Sequence, residues 1–272
     1  MMLPYAREFV CVTPNSPRRL TAEELKLYLR SRGARANSCE RIEDGILEAL
    51  ELAGADTPVV AFGSLYLAGA VRSLFRAQYR KWIRKHGIAA REALSPEERE
   101  AGSARAVERM VRSDAFRAAK TVFIYEHFGA ELSLEALVHH PLSAGKRFAY
   151  PVCLDAHEME ALIPEGMDAW RAGQFGILEP VPELSQRVEP EEIDLVICPC
   201  SAFDARGNRI GMGEGYYDRY LPRCVRAAVC AAAFEAQKFP AIPAQPWDRP
   251  MDMVFTEDGV YGRDGDTSPE QN

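Results

Sequence analysis

At 272 residues, with 47% hydrophobic and 27% charged residues, the chain has an ordinary globular composition and room for one large domain or two smaller ones. Its formal net charge of -7 argues against nucleic acid as the main partner, because a phosphate-binding footprint shows as a basic excess. No apolar run approaches the roughly 20 residues that span a bilayer, the opening MMLPYAREFV lacks the regions of a secretory signal, and an odd count of seven cysteines fits reduced thiols in a cytoplasm.

In chain order, EFVCVTP (8–14) is a β-branched run ended by proline and predicts a strand. A helix follows, with Thr21 and Glu24 as a capping box and Gly33 as its stop. Residues 40–52 predict a second amphipathic helix, TPVVAFGS (57–64) a buried strand, and the stretch from Ser64 a further helix. No Gly or Pro lies between Val71 and His86, so a continuous helix joining two segments is expected there.

The second segment begins near Phe75. LSPEERE (94–100) opens a helix, with Ser95 as N-cap, Pro96 at the first position and Glu98 closing the box. Strands are predicted at 120–128, 146–153 and 159–164, a helix at 132–140, and a proline-rich loop at 178–190. IDLVICPCSAF (193–203) reads as one strand buried on both faces. Cys198 and Cys200 form C-P-C, not C-x-x-C, and read as buried structural thiols. GYYDRYLPRC begins a helix, RAAVCAAAF (226–234) and MDMVFTEDG (251–259) are strands, and a polar tail follows Gly259. The pattern predicts an α/β fold: a mostly parallel, Rossmann-like three-layer sheet with helices on both faces, plus a small N-terminal α/β segment.

RGNRIGMGEGYYDR (206–219) falls between a buried strand and a helix start, which is where open α/β sheets bind ligands. Gly211, Gly213 and Gly215 remove Cβ atoms where backbone must approach an anion, although G-x-G-x-G is neither the dinucleotide nor the Walker spacing. A plain glycine turn and a phosphate cradle fit the loop equally well on its own. Tyr216 and Tyr217 are adjacent and cannot share one helix face. Asp218 in the first helical turn suits a helix cap or a Mg²⁺ ligand equally, and Asp252 is the candidate second acid.

FDARGNRIGMGEGYYDRYL closely resembles the signature of 5-formyltetrahydrofolate cyclo-ligase, also called 5,10-methenyltetrahydrofolate synthetase. REALSPEERE, GKRFAYPVC, FGILEP (175–180), AFEAQ (233–237) and MDMVFTE resemble further blocks in the family order, over roughly residues 75 to 260. The resemblance implies ATP- and Mg²⁺-dependent conversion of 5-formyltetrahydrofolate to 5,10-methenyltetrahydrofolate, by phosphorylation of the formyl oxygen and attack of N10. By position it assigns ATP to Arg80, Arg84, Arg209, Ile210, Gly211, Met212, Gly213, Glu214, Gly215, Tyr216 and Tyr217. The folate falls to Glu131 and to Met212, Gly213, Glu214, Gly215 and Tyr216, the metal to Asp218 and Asp252, and catalytic roles to Tyr216 and Arg209.

Three positions depart from the family pattern: Arg80 stands for lysine, Met212 for the loop arginine, and Glu214 for glycine or a basic residue. At about 4 Å and an effective dielectric near 20, each unit charge beside an anion is worth on the order of 4 kcal/mol before solvation. Arg206, Arg219 or Lys238 are candidates to compensate, and a non-catalytic folate- or nucleotide-binding paralogue is the second reading. REFVCVTPNSPRRLTAEEL and VVAFGSLYLAGAVRSLF resemble the carboxyl end of folylpolyglutamate synthase, without its P-loop domain. The expected organisation is therefore 1–74 as that segment, with possible contact to a folylpolyglutamate synthase-like partner, 75–262 as the cyclo-ligase domain, and 263–272 as a disordered tail.

Overall fold

A computed structural model of the chain describes residues 5–16, 19–54, 57–154, 158–173 and 176–262, so the tail expected at 263–272 lies outside the described residues. The chain divides into two compact units, Met1–Ile83 and Arg84–Asn272. Among the described residues, no helix is long and apolar enough to cross a membrane.

In the first unit β1 (Phe9–Val12), α1 (Ala22–Ser31), β2 (Ala36–Cys39) and α2 (Ile42–Ala53) alternate, and β1 and β2 pair in parallel with Phe9 opposite Ala36. The Thr21–Glu24 capping box starts α1. A small core of Cys11, Ala22 and Ala36, backed by Leu25 and Leu29, holds α1 on the strands. TPVVAFGS is not a strand: residues 57–64 are irregular and Val59, Val60 and Phe62 are exposed. Its composition suits a strand, but β propensity takes effect only where a ladder partner is available. α3 (Leu65–Glu92) runs unbroken across the boundary between the units.

In the second unit α4 (Pro96–Arg112), α5 (Asp114–Ala118), β3 (Thr121–Phe123), α6 (Glu135–Val138), β4 (Arg147–Cys153), β5 (Met159–Pro164), β6 (Trp170–Ala172), β7 (Leu178–Pro180) and β8 (Ser185–Val188) come first. β9 (Leu195–Pro199), β10 (Ala202–Asp204), β11 (Arg209–Ile210), α7 (Tyr216–Tyr220), β12 (Ala228–Ala232), β13 (Lys238–Phe239), β14 (Met253–Phe255) and β15 (Val260–Tyr261) follow. Eight strands form one sheet in the order β15-β14-β12-β9-β3-β4-β5-β8. The five from β14 to β4 are parallel, and antiparallel strands close both edges.

Period-two alternation splits the apolar residues of the sheet between two cores. Val122, Leu195, Ile197, Cys230 and Phe255 pack beneath Val107 and Met110 of α4 and Phe116 of α5. Phe123, Val196, Cys198, Val229 and Val254 pack on the other face against Tyr220 of α7 and Leu221.

Besides TPVVAFGS, two predicted elements differ in kind from those observed. IDLVICPCSAF is two strands in different sheets, β9 and β10, broken at Cys200–Ser201. The proline-rich 178–190 stretch holds β7, where Pro180 sits in a two-stranded sheet that tolerates its missing N–H, and the proline-free edge strand β8. Within FGILEP, Phe175 lies outside the described residues.

Candidate active site

The glycine stretch follows β9 and β10. The Ser201 N–H donates to the Ile210 carbonyl at 2.8 Å, and β10 pairs antiparallel with β11, so residues 201–210 form a hairpin at the carboxyl end of the parallel strands. Asp204 fixes its turn. Its buried carboxylate accepts from the backbone N–H groups of Arg206 and Asn208, each at 3.0 Å, and from Ile242 at 2.8 Å. Past β11 the chain passes through Gly211–Gly215 into α7. Gly213 (φ 117°) and Gly215 (φ 72°) adopt left-handed conformations that disfavour other residues.

Arg84, on α3, is seated on this loop. Its Nε donates to the Gly211 carbonyl at 2.7 Å, and its guanidinium carbon lies 3.4 Å from where a Cβ on Gly213 would stand. Gly87 makes this possible. A Cβ there would sit inside contact distance of the Ser201 carbonyl oxygen and 3.0 Å from the Ala202 Cβ, so only glycine lets this part of α3 lie against the β9–β10 break. Arg80 stands one turn earlier on the same helix, in the first unit. Arg219 folds back from α7, donates to the Glu214 carbonyl and lies 5.9 Å from the Tyr216 ring centroid. Arg84 and Arg219 thus bring two cations to the loop that lacks its own. Met212 is exposed and accepts the Ser201 hydroxyl at 3.4 Å, while Ile210 is fully buried and turns no side chain outward.

Arg209, expected to be catalytic, is committed internally. Its guanidinium is buried, donates to Pro199 O at 3.0 Å and to Asp218 Oδ1 at 3.1 Å, and lies 5.5 Å from the Tyr217 ring centroid. The adjacent tyrosines divide as their helical phase requires. Tyr217 turns inward, with its ring centroid 6.2 Å from that of Phe123, and burial holds its hydroxyl neutral well beyond the ordinary range. Tyr216 lies on the outer side beneath Arg219. Burial also pushes the Cys198 and Cys200 thiols up to about 11 and about 12, so neither is a thiolate at neutral pH.

The structure does not bring Asp218 and Asp252 together. Asp252 precedes β14, accepts from the Val229 N–H at 2.8 Å and returns its own N–H to Val229 O at 2.7 Å. Val229 is opposite Val196, near the amino end of β9, whereas Arg209 ties Asp218 to Pro199 at the carboxyl end. Three residues of rise and two strand spacings separate them, each on the order of 10 Å. One Mg²⁺, with oxygens at about 2.1 Å, cannot bridge that gap. Among the described residues no three metal-ligating side chains cluster, so Asp218 fits only a magnesium ion whose other ligands are substrate oxygens and water.

Glu131 lies on the loop after β3. Its Oε1 meets Arg91 Nη1 of α3 at 3.3 Å and its Oε2 accepts the Phe128 N–H at 3.2 Å. The same loop supplies Tyr125, Glu126 and His127 to a cavity of about 470 Å³ that is also walled by Tyr150, Trp170 and His139. Tyr150 and Trp170 meet edge to face at 4.8 Å. Sequence reasoning missed Arg91, although the signal is present: Arg80, Arg84, Gly87 and Arg91 fall within a narrow arc of one helical face. Asp204 was equally readable, as the aspartate of a D-x-x-G-N turn.

A doubly wound, mostly parallel sheet with a glycine loop and seated arginines at its carboxyl ends defines an α/β enzyme built to hold an anionic ligand at that edge. Residues 76–257 match the model of the 5-formyltetrahydrofolate cyclo-ligase family, and the chain belongs to that family. The 5-formyltetrahydrofolate cyclo-ligase of Escherichia coli K12 is 28% identical over 183 residues, covering 63% of this chain and 96% of that protein. The mouse enzyme of the same name is 30% identical over 182 residues, covering 61% and 87%. The NMR structure of Aquifex aeolicus 5,10-methenyltetrahydrofolate synthetase superposes with a TM-score of 0.60 at 31% identity, covering 71% of this chain and 97% of that one. The Mycoplasma pneumoniae synthetase shares the fold, with a TM-score of 0.54 at 24% identity.

Proposed function

We propose that the chain converts 5-formyltetrahydrofolate to 5,10-methenyltetrahydrofolate, using ATP and Mg²⁺. The observation that carries this reading is the seating of Arg84 on Gly211–Gly213, within the residues that match the family. The formyl carbon is a poor electrophile until its oxygen is phosphorylated, after which N10 attacks and phosphate departs. Such a site works by positioning and by charge aimed at the transferring phosphoryl group.

Gly213 and Gly215 let backbone approach the phosphates, and Arg84 and Arg219 supply positive charge there. That pair offsets the loss of the loop arginine at Met212 and favours the catalytic reading over a binding-only paralogue. Asp218 holds the magnesium together with phosphate oxygens. Arg209 acts as a positioning residue that fixes Asp218 and Tyr217, and Asp252 acts as a strand staple. Tyr216 and Glu131 face the folate, whose rings take the aromatic-walled cavity beside the Glu131 loop. Buried free thiols suit a reducing compartment such as the cytoplasm. The N-terminal unit contributes no ligase chemistry of its own, and co-purification from native cells tests its contact with a folylpolyglutamate synthase.

The test is direct. Purified full-length protein, ATP, Mg²⁺ and 5-formyltetrahydrofolate are mixed and the ultraviolet absorbance of the methenyl product is followed. Turnover that requires both ATP and Mg²⁺ is expected. Thermal stabilisation by the ligands with no product would instead establish the binding-only reading.

A further inference from the structure

We infer that Arg91 is the positioning residue for Glu131, holding that carboxylate in place on the loop that also walls the proposed folate cavity. The ligand's identity rests on the function proposed above; the link between the two residues rests on geometry. Arg91 is 4% exposed, and its Nη1 lies 3.3 Å from both Glu131 Oε1 and the Cys200 carbonyl. Cys200 O also accepts from Gln237 Nε2 at 2.7 Å, and that amide bonds Ser201 O at 3.0 Å. One cation therefore ties the loop after β3 to the β9–β10 break, from which the glycine hairpin starts.

A scaffold does not need this pair. Burying two charges costs more than their attraction usually returns, and an apolar substitute of similar volume is often as stable. What the arrangement does supply is a cation that favours the charged form of a carboxylate which burial pushes toward its neutral form.

The groups facing Glu131 come from three directions. Burial holds its carboxyl above the ordinary carboxylate range, and Arg91 on α3, the Phe128 N–H and His127 on its own loop pull it back down. Tyr125 beyond β3 and Tyr217 on α7 also face it, and burial keeps both neutral. Removing Arg91 leaves burial in place and takes away the largest opposing influence. Glu131 then takes up its proton at a higher pH, and folate binding that needs the carboxylate is lost from the acid side.

Full-length Arg91→Met and Arg91→Lys proteins are compared with wild type from about pH 5 to about pH 9. At neutral pH, Arg91→Met should raise KM for 5-formyltetrahydrofolate about 30-fold and KM for ATP less than about threefold, with the loss shrinking as pH rises. Arg91→Lys should restore the pH limb and most of the KM, since charge returns without the planar fork. In a Glu131→Gln background, Arg91→Met should cost almost nothing further. An equal, pH-independent loss in both KM values, or an undiminished loss in that background, would overturn the inference. A ¹³C-carboxyl NMR titration of Glu131, assigned with Glu131→Gln, needs no substrate. Its midpoint must rise in Arg91→Met, and an unmoved midpoint overturns the inference whatever the enzyme assay shows. A raised midpoint in a protein that neither binds nor converts the folate would support the Arg91–Glu131 link and sink only the functional reading.

Discussion

One methyl group at position 87 tests how the site is built. On helix propensity alone, Gly→Ala inside α3 should stabilise by about 1 kcal/mol at either Gly69 or Gly87. The surroundings separate the two. At Gly69 an added Cβ meets nothing within 4 Å; at Gly87 it would collide with the Ser201 carbonyl oxygen and press on the Ala202 Cβ at 3.0 Å. Relieving the overlap requires a shift of roughly 1 Å, because carbon–oxygen contacts below van der Waals separation are steeply repulsive. That shift carries the bond from Arg84 Nε to Gly211 O from 2.7 Å past hydrogen-bond range, and the Arg91 bonds, at 3.3 Å, go with it. Overpacking costs about 1–3 kcal/mol, so Gly87→Ala should end up to about 2 kcal/mol less stable than wild type, a fall of up to about 8 °C in Tm. A misplacement of about 1 Å in a positioning group is worth about 100-fold in kcat/KM. Scanning calorimetry and initial rates on Gly69→Ala and Gly87→Ala decide it. Gly69→Ala should keep its rate and hold or raise its Tm. A Gly87→Ala protein as stable and as fast as wild type would refute the claim that the glycine seats the arginines.

Gly213→Ala combines a strained φ with a methyl against the Arg84 guanidinium, so KM for ATP should rise at least about tenfold with little change in KM for folate, read from initial rates. Asp218→Asn, which keeps an acceptor for the buried Arg209 guanidinium, should abolish Mg²⁺-dependent turnover with little fall in Tm, whereas Asp218→Ala should lose both turnover and stability because it leaves that guanidinium without its carboxylate. Asp252→Ala should instead lower stability by about 1–3 kcal/mol by orphaning the Val229 N–H, with the Mg²⁺ dependence of the rate unchanged. The reverse pattern would return Asp252 to the metal site. Met212→Arg adds a cation at an exposed loop position and should lower KM for ATP several-fold; no change there would count against a phosphate-holding loop.

Features written in neighbouring residues were legible in the sequence. Both capping boxes, the short apolar runs of β9 and β12, and the helix start inside GYYDRYL are written within a few residues, which local chemistry fixes. What was not legible depended on partners distant in the chain. TPVVAFGS has strand composition and no ladder to join; the 178–190 prolines suggest a loop until β5 offers β8 an edge; IDLVICPCSAF reads as one strand until Arg91 and Gln237 claim the Cys200 carbonyl. Arg91 shares its helical face with Arg80, Arg84 and Gly87, but a basic helical face reads as solvated charge until its burial is known.

The two aspartates show the same limit within the site. Asp218 lies in the first turn of a helix and Asp252 just before a strand, and their residue types alone suggest a shared ion. Register separates them: Val229 opposite Val196 places Asp252 at the amino ends of the strands, while Arg209 pins Asp218 at the carboxyl ends beside Pro199. A carboxylate that caps a strand N–H on one side of a sheet contributes to folding, not to a ligand held on the other. On the proposed function, magnesium would arrive with the phosphates and share a single protein carboxylate. The metal dependence of the rate should then follow the nucleotide: Mg²⁺ titrated without ATP should leave Tm unmoved, whereas Mg²⁺ with ATP should raise it. Tight binding of Mg²⁺ to the nucleotide-free protein would require a second carboxylate and would overturn this account.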